Sequence, residues 1–126
     1  MRARSLDELL VYRKALTAAV AITAILTRRK IREDSTLCKQ MGTASGGVPA
    51  NIAEGFGQQT DRQFAKYLFI ARGSSYEMRA HLVIAHARRY LEDTELRDLS
   101  GKYEEISRML TGLIKYLQKS DRKQRG

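Results

Sequence analysis

The sequence predicts an all-α protein: an antiparallel up-down-up-down four-helix bundle in a single domain. Apolar residues recur at spacings of three and four along nearly the whole chain, while capping residues and glycines divide it into four segments. The single proline and the absence of alternating β-branched runs argue against a sheet. Four helices of comparable length joined by short loops favour antiparallel neighbours, and 126 residues suffice for one core.

The first two helices are predicted from caps and spacing. Ser5 and Glu8 fit a capping box that opens the first helix. Its expected buried seam is Leu9, Tyr12, Leu16, Ala19, Thr23 and Leu26. The second helix is expected to begin near Asp34 and to end at Gly55 and Gly57. Its expected buried residues are Leu37, Met41, Ala44, Val48 and Ile52.

The third and fourth helices follow the same logic. Thr60 begins a capping box, and the third helix is expected to reach Tyr90. Its seam is Phe64, Leu68, Ala71, Ser75, Met78, Leu82 and Ala85. The fourth helix is expected to start near Thr94, with the seam Leu96, Leu99, Tyr103, Ile106, Leu110, Leu113 and Leu117. We therefore expect a bundle over residues 1–118 and a basic flexible tail over 119–126.

The third helix is apolar on more than one face. Outside its seam it carries Tyr67, Phe69, Ile70, Tyr76, Val83 and Ile84. A helix that is apolar nearly all round is usually covered on both sides, yet every helix of a four-helix monomer has an outward face. We therefore predict a homo-oligomer; the alternative is a monomer with exposed aromatic residues.

The charge balance points to a polyanionic partner. Lys and Arg total 23 against 14 Asp and Glu, a net charge of +9 with a pI near 10.0. Such a balance suits RNA or DNA first and an anionic membrane surface second, whereas the simpler alternative is that the charge only prevents association. The predicted nucleic-acid-binding residues at one bundle end are Arg28, Arg29, Lys30, Arg32, Arg88 and Arg89, and at the other Arg122, Lys123 and Arg125. Because no aromatic platform alternates with these clusters, we expect phosphate contacts rather than base stacking.

The lone cysteine does not indicate an oxidising compartment, and the hydropathy does not indicate a membrane span. Cys38 cannot form an intrachain disulfide, and its place in an apolar stretch predicts a buried, inert thiol. No uncharged apolar run approaches about 18 residues, and the amino terminus lacks a signal-peptide core. We expect a cytoplasmic protein with no membrane partner.

Enzymatic chemistry is not indicated. Glu54 and Glu77 lie on adjacent predicted helices but roughly 20 Å apart along the bundle, whereas paired catalytic carboxylates lie within about 10 Å. His81 and His86 are five residues apart and point to different helix faces, which makes them poor co-ligands for a metal. There is no phosphate-binding glycine loop and no nucleophile–base motif. We expect no catalytic activity, cofactor or metal.

Small residues interrupt the third helix at 73–75, where Gly costs about 1 kcal/mol relative to Ala. Antiparallel pairing would place Gly42 near Ser75 and Ala44 near Gly73, so we expect a close contact between the second and third helices. The same register predicts partners for two carboxylates: Lys66 or Arg62 for Glu54, and Gln40 or Arg108 for Glu77.

Several of these segments together resemble the 23S rRNA intervening-sequence proteins, also called four-helix-bundle proteins. The resemblance rests on Pro49 and Asn51-Ile-Ala-Glu-Gly55, Phe64, Ala71-x-Gly-Ser-Ser-x-Glu77, Tyr90-Leu91 and the leucine pattern from Met109 to Leu117. It implies an antiparallel four-helix bundle assembled into a cyclic homopentamer, with nucleic-acid binding as the usual proposal for the family. The structural motif residues that it identifies are Asn51, Glu54, Gly55, Gly73, Ser74 and Glu77.

A related bundle is the accessory protein of diversity-generating retroelements, which associates with a reverse transcriptase and with RNA. The chain departs from the family pattern where Gly42-Thr43, Gly47 and Gln58 replace residues that are usually Arg-Arg, Ser and Arg. A basic run over 28–32 also replaces the usual loop between the first two helices. Two hypotheses follow: a basic homo-oligomer that binds structured RNA, such as rRNA, or DNA through its phosphates, or an adaptor that docks a reverse transcriptase.

Overall fold

The structure, a computed structural model, describes residues 3–125 and is built from helices. A 3-10 turn at Leu6–Glu8 precedes five α-helices. They are α1 (Leu10–Leu26), α2 (Arg29–Glu33), α3 (Ser35–Phe56), α4 (Asp61–Ala87) and α5 (Asp93–Arg125). No strand occurs over residues 3–125, so the predicted all-α class is confirmed.

The four long helices form the predicted antiparallel bundle in a single domain. α1 packs against α3 and α5, and α4 packs against the same two helices from the other side. α1 and α4 therefore lie diagonally across the bundle, and their outward faces point in opposite directions. Short turns connect α3 to α4 and α4 to α5, as expected for antiparallel neighbours, whereas α2 lies in the connection between α1 and α3.

The core is a continuous apolar cluster along the bundle axis. Every residue predicted to be buried on α3 and α4 is buried. On α5 five of the predicted residues are buried, while Leu96 and Leu113 are half-buried and Ile114 joins the core. Tyr103 is fully buried with its hydroxyl unpaired, and burial raises the pKa of that hydroxyl. Spacing therefore identified the core face on three of the four long helices.

α1 differs from its prediction in both its start and its buried face. Ser5 makes no side-chain capping bond, and the Glu8 carboxylate accepts from the backbone N–H of Arg4 at 2.8 Å, so the α-helix begins only at Leu10. Leu16 and Thr23 are exposed. The buried face is Val11, Ala15, Ala18, Ile22 and Ile25. This segment carries two apolar stripes, and spacing alone could not choose between them.

Two further boundaries differ from the prediction. The basic run after α1 contains α2, which buries Ile31 completely. α5 continues through residue 125, so the expected tail is helical over residues 119–125, while Gly126 lies outside the described residues. An Asp121–Arg125 ion pair at 3.7 Å and cations in the last turn favour the extension, because they complement the negative end of the helix dipole.

α3 and α4 approach closely around small residues, though not at Gly73. A β-carbon on Gly55 would lie 2.8 Å from Cβ of Tyr67, and one on Gly47 would lie 3.0 Å from Oγ of Ser74. The expected contact at Gly73 is wrong, because the space beside it is open. Ser75 faces α5 instead, where its hydroxyl donates to the Tyr103 carbonyl at 3.1 Å.

Two other expectations concern membrane-spanning helices and the burial of Cys38. Over residues 3–125, none combines the length and hydropathy needed to cross a bilayer. Cys38 is half-buried against the core rather than fully buried.

Candidate nucleic-acid interface

At one end of the bundle, two of the predicted phosphate-binding arginines are held by carboxylates. We call this group the clasp; it consists of Arg28, Asp34, Arg88, Tyr90 and Glu95. The Asp34 carboxylate accepts from the Arg88 guanidinium at 2.7 Å and from the Tyr90 hydroxyl at 2.9 Å. The same carboxylate caps α3 by accepting from a backbone N–H. The clasp therefore ties the start of α3 to the turn that follows α4.

The second half of the clasp joins the end of α1 to the start of α5. The Arg28 guanidinium donates to both carboxylate oxygens of Glu95, one of them at 3.0 Å, and to the Tyr90 carbonyl at 3.3 Å. The Glu95 carboxylate also accepts from the backbone N–H of Glu92 at 3.0 Å. This two-point pairing is the geometry in which an arginine binds a carboxylate best.

The hydrogen bonds of the clasp shift the pKa values of Asp34, Glu95 and Tyr90. Hydrogen bonds from the Tyr90 hydroxyl and the Arg88 guanidinium lower the pKa of Asp34. The Arg28 guanidinium, with help from the Glu92 backbone, lowers the pKa of Glu95 to about 2. The hydrogen bond to Asp34 raises the pKa of Tyr90 in turn. Both carboxylates therefore stay charged near neutral pH and hold their arginines.

Other cations at this end are free to meet a ligand. Within residues 3–125, Lys30, Arg32 and Arg89 are exposed and have no acidic partner. Arg29 is also exposed and pairs at 2.8 Å with Glu33, one helical turn away. An ion pair exposed to solvent in this way contributes little to stability. Three of the six predicted residues at this end are thus unpaired.

Arg89 occupies a backbone conformation that glycine usually takes. Its φ is 65°, the sole positive φ of a non-glycine residue over 3–125. The N–H groups of Arg89 and Tyr90 donate to the carbonyls of His86 and Ala85, both at 2.9 Å, which completes a Schellman motif at the end of α4. An arginine at this position carries a backbone strain that a glycine would not.

The cations predicted at the opposite end belong to the last turns of α5. Arg122 and Lys123 are exposed without an acidic partner in the described chain, while Arg125 pairs with Asp121. The structure therefore does not bring the two predicted clusters together, because they lie at opposite ends of the bundle.

Sequence reasoning missed two neighbouring cationic pockets along α4 and α5, which together we call the groove. One pocket, of about 780 Å³, is lined among others by Arg62, Lys66, Phe69, Asp121 and Arg122. The other pocket is lined by Tyr76, Arg79, Glu104, Ser107, Arg108 and Thr111. Arg72 lies between the two pockets, because its guanidinium contacts Phe69 of the first and Tyr76 of the second. It also donates to Oγ1 of Thr111 on α5 at 3.0 Å.

Aromatic rings alternate with cations in this groove, whereas we expected no such alternation in the terminal clusters. The Arg72 guanidinium lies 4.9 Å from the ring centroid of Phe69 and 5.9 Å from that of Tyr76. The two rings are 43% and 49% exposed. A signal was present in the sequence, since Lys66, Phe69, Arg72, Tyr76 and Arg79 follow each other at intervals of three or four.

The motif carboxylates are not paired as predicted. Glu54 and Glu77 are exposed, and neither forms an ion pair in the described chain. Arg108, the expected partner of Glu77, instead contacts Glu104 at 3.4 Å. Asn51 is half-buried, and its side-chain amide donates to the Gly47 carbonyl of its own helix at 2.8 Å.

The histidines form no joint site. Nε2 of His86 lies 2.6 Å from Oδ1 of Asp93. Nδ1 of His81 is buried without a hydrogen-bond partner. No group of three or more His, Cys, Asp or Glu side chains that could hold a metal occurs over residues 3–125.

Fold and surface together define a basic, single-domain helical-bundle protein. The profile of the 23S rRNA-intervening sequence proteins matches residues 7–112, and the chain belongs to that family. A solved structure similar to this one is a protein of unknown function from the S23 ribosomal protein family of Bacteroides thetaiotaomicron. It is 24% identical, with a TM-score of 0.78 over 84% of this chain and 99% of that one, which shows a shared fold. None of the curated proteins matches the chain in sequence.

Proposed function

We propose that this protein is a basic homo-oligomeric scaffold of the cytoplasm that binds nucleic acid through phosphate contacts, without catalysis or a cofactor. The ligand class is structured RNA, such as rRNA, or DNA. The observation that supports this most is the set of exposed cations without carboxylate partners on a chain of net charge +9. Such cations release counterions from a phosphate backbone when they bind it.

The backbone conformation of Arg89 also supports the proposal. A positive φ at a residue other than glycine lowers the stability of the fold, and such strain is often found where the side chain has a function. Its guanidinium belongs to the same bundle end as Lys30 and Arg32, neither of which the clasp holds. Together they offer three unpaired cations to a phosphate backbone.

Self-association is the second part of the proposal. Val83 and Ile84 on α4 are 57% and 38% exposed, and Val20 on the opposite side of the bundle is 70% exposed. Covering such faces with further copies removes apolar surface from water, at about 25 cal/mol per Å². The family resemblance leads us to expect a pentamer, in which each cationic cluster is repeated around the ring.

A second candidate function is that of an adaptor, such as an accessory subunit that docks a retroelement reverse transcriptase. The same exposed aliphatic residues of α4 favour it, because another protein could cover them instead of a second copy. Co-purification of a partner that persists after nuclease treatment and high salt would support the adaptor.

The test is the salt dependence of RNA binding. The affinity for a structured rRNA fragment should fall steeply with salt, and charge reversal of Lys30 and Arg32 to Glu should reduce it about tenfold at each sequence tried. Charge reversal of Arg13 and Lys39, exposed cations outside both predicted clusters, is the matched control and should have a smaller effect. An affinity that does not change with salt would reject the proposal.

A further inference from the structure

We propose that the groove between α4 and α5 binds single-stranded nucleic acid, with its cations on the phosphates and Phe69 and Tyr76 stacking on bases. This inference rests on the proposed function and specifies the form of its ligand. It concerns a surface separate from the predicted terminal cations, apart from Arg122.

The charge of the groove fits a polyanion. Its cations are Arg62, Lys66, Arg72, Arg79, Arg108 and Arg122, and its carboxylates are Glu104 and Asp121. Both carboxylates are already engaged by arginines of α5, at 3.4 Å and 3.7 Å. With Arg108 set aside, the unpaired cations are Arg62, Lys66, Arg72 and Arg79 on α4 and Arg122 on α5, so a strand lying along the groove would meet cations from both helices.

The aromatic residues supply what a purely electrostatic surface lacks. Phe69 and Tyr76 are seven residues apart on α4, about 10 Å, which equals about three rises of a stacked strand. Arg72 lies between them and contacts both rings, which holds their orientation. Because each ring remains more than two-fifths exposed, a ring face is available to an unpaired base.

The groove is long enough for several nucleotides. Arg62 and Arg79 are 17 residues apart on one helix, about 25 Å, or about seven nucleotides at the rise of a stacked strand. Val83 and Ile84, on which we propose that self-association depends, lie beyond Arg79 toward the end of α4. The proposed strand and the proposed neighbouring copy therefore use different parts of the helix.

A single strand fits these residues better than a duplex or an acidic peptide does. Bases inside a duplex are already stacked on each other and cannot reach the rings, whereas unpaired bases are free to stack. An acidic peptide would satisfy the cations but would leave the two exposed rings without planar partners. We therefore commit to a single strand, and the two alternatives are outcomes of the test.

The test uses a fluorescent reporter in the full chain. The protein contains no tryptophan, so Tyr76→Trp introduces a single indole into the groove. Tyr116→Trp is the matched control, because Tyr116 is 50% exposed and lines a different groove, beside Leu9 and Leu117. Oligo(dT) and oligo(U) of about 12 nucleotides should quench the first indole and leave the second unchanged. Quenching of both indoles or of neither would overturn the inference.

A second measurement separates this inference from the proposed function. Replacing Phe69 and Tyr76 together by Leu keeps the apolar surface and should weaken oligo(dT) binding about tenfold, with binding to a duplex of the same length little changed. If that variant binds normally while reversal of Lys30 and Arg32 still weakens RNA binding, the groove inference fails alone. If neither RNA nor oligonucleotide binds the unmodified protein, both fail. Equal quenching of the Tyr76→Trp indole by poly-glutamate would assign the groove to an acidic peptide and overturn the inference.

Discussion

The clasp and the groove use the same side chain in two different ways. Arg28 and Arg88 in the clasp donate to carboxylates that join separate segments of the bundle. Arg72 in the groove donates to a hydroxyl and contacts two exposed rings, so no carboxylate neutralises its charge. The arginines of the clasp are held by carboxylates, whereas Arg72 remains available to a ligand. A net charge of +9 therefore does not locate a binding surface until the paired cations have been set aside.

The largest effect is expected when the clasp loses its central acceptor. Asp34→Ala removes the partner of Arg88 and Tyr90 together with the cap of α3, and should lower Tm by about 10 °C. Asp34→Asn, which keeps the cap, should lose less. Thermal unfolding followed by circular dichroism measures both, and two variants as stable as the unmodified protein would show that the clasp does not hold the fold.

Glu95→Gln tests the other half of the clasp and its pH dependence. It should lower Tm by about 5 °C at neutral pH, because Arg28 loses a charged partner at a partly solvated site. Since folding lowers the pKa of Glu95 from 4.5 to about 2, the stability it contributes is present above pH 4.5 and is lost as the pH falls toward 2. Urea unfolding across this range should show the difference between the two proteins shrinking, and a constant difference would contradict the assignment.

Arg89→Gly separates stability from binding at the clasp end. Glycine adopts the positive φ without strain, so Tm should rise by about 4 °C while RNA affinity falls. Arg89→Lys, which keeps the charge and the strain, is the control and should change neither strongly. If Arg89→Gly loses stability, the strain argument is wrong, and if it binds RNA normally, Arg89 is not a phosphate contact.

The smallest effect on stability is expected in the groove. Replacing Arg79 and Arg108 together by Gln should move Tm by no more than about 2 °C, since neither holds separate segments together. The same variant should bind RNA about tenfold more weakly and with a shallower salt dependence. A large loss of stability would mean that the arginines of the groove, like those of the clasp, hold the fold together.

How far the sequence predicted the fold depended on how distinctive each helix was. Spacing identified the buried stripe of α3, α4 and α5, although α4 also carries apolar residues outside that stripe. α1 has two apolar stripes, the predicted one mainly of leucines and the buried one of Val11, alanines and isoleucines, and only packing against α3 and α5 selects between them. The end of α5 was placed too early because polar composition resembles a tail, although lysine and arginine are also good helix formers.

The candidate surface was predicted less completely than the fold. Charge runs located the terminal clusters, but the pairing of Arg28 with Glu95 joins residues 67 positions apart and cannot be seen in a local pattern. The groove needs the register between α4 and α5, which brings Arg72 beside Thr111. The spacing of Phe69, Arg72 and Tyr76 is present in the sequence, but we interpreted Phe69 and Tyr76 as part of an apolar face covered by another subunit or by a partner protein.

The central claim is that copies of this basic bundle assemble and bind nucleic acid. The absolute mass of the purified particle, measured alone and with a structured RNA by light scattering, tests it most directly. We predict a multiple of the 14.3 kDa chain that gains the mass of the RNA at low salt and releases it at high salt. A 14.3 kDa particle whose mass does not change when RNA is added would contradict the account.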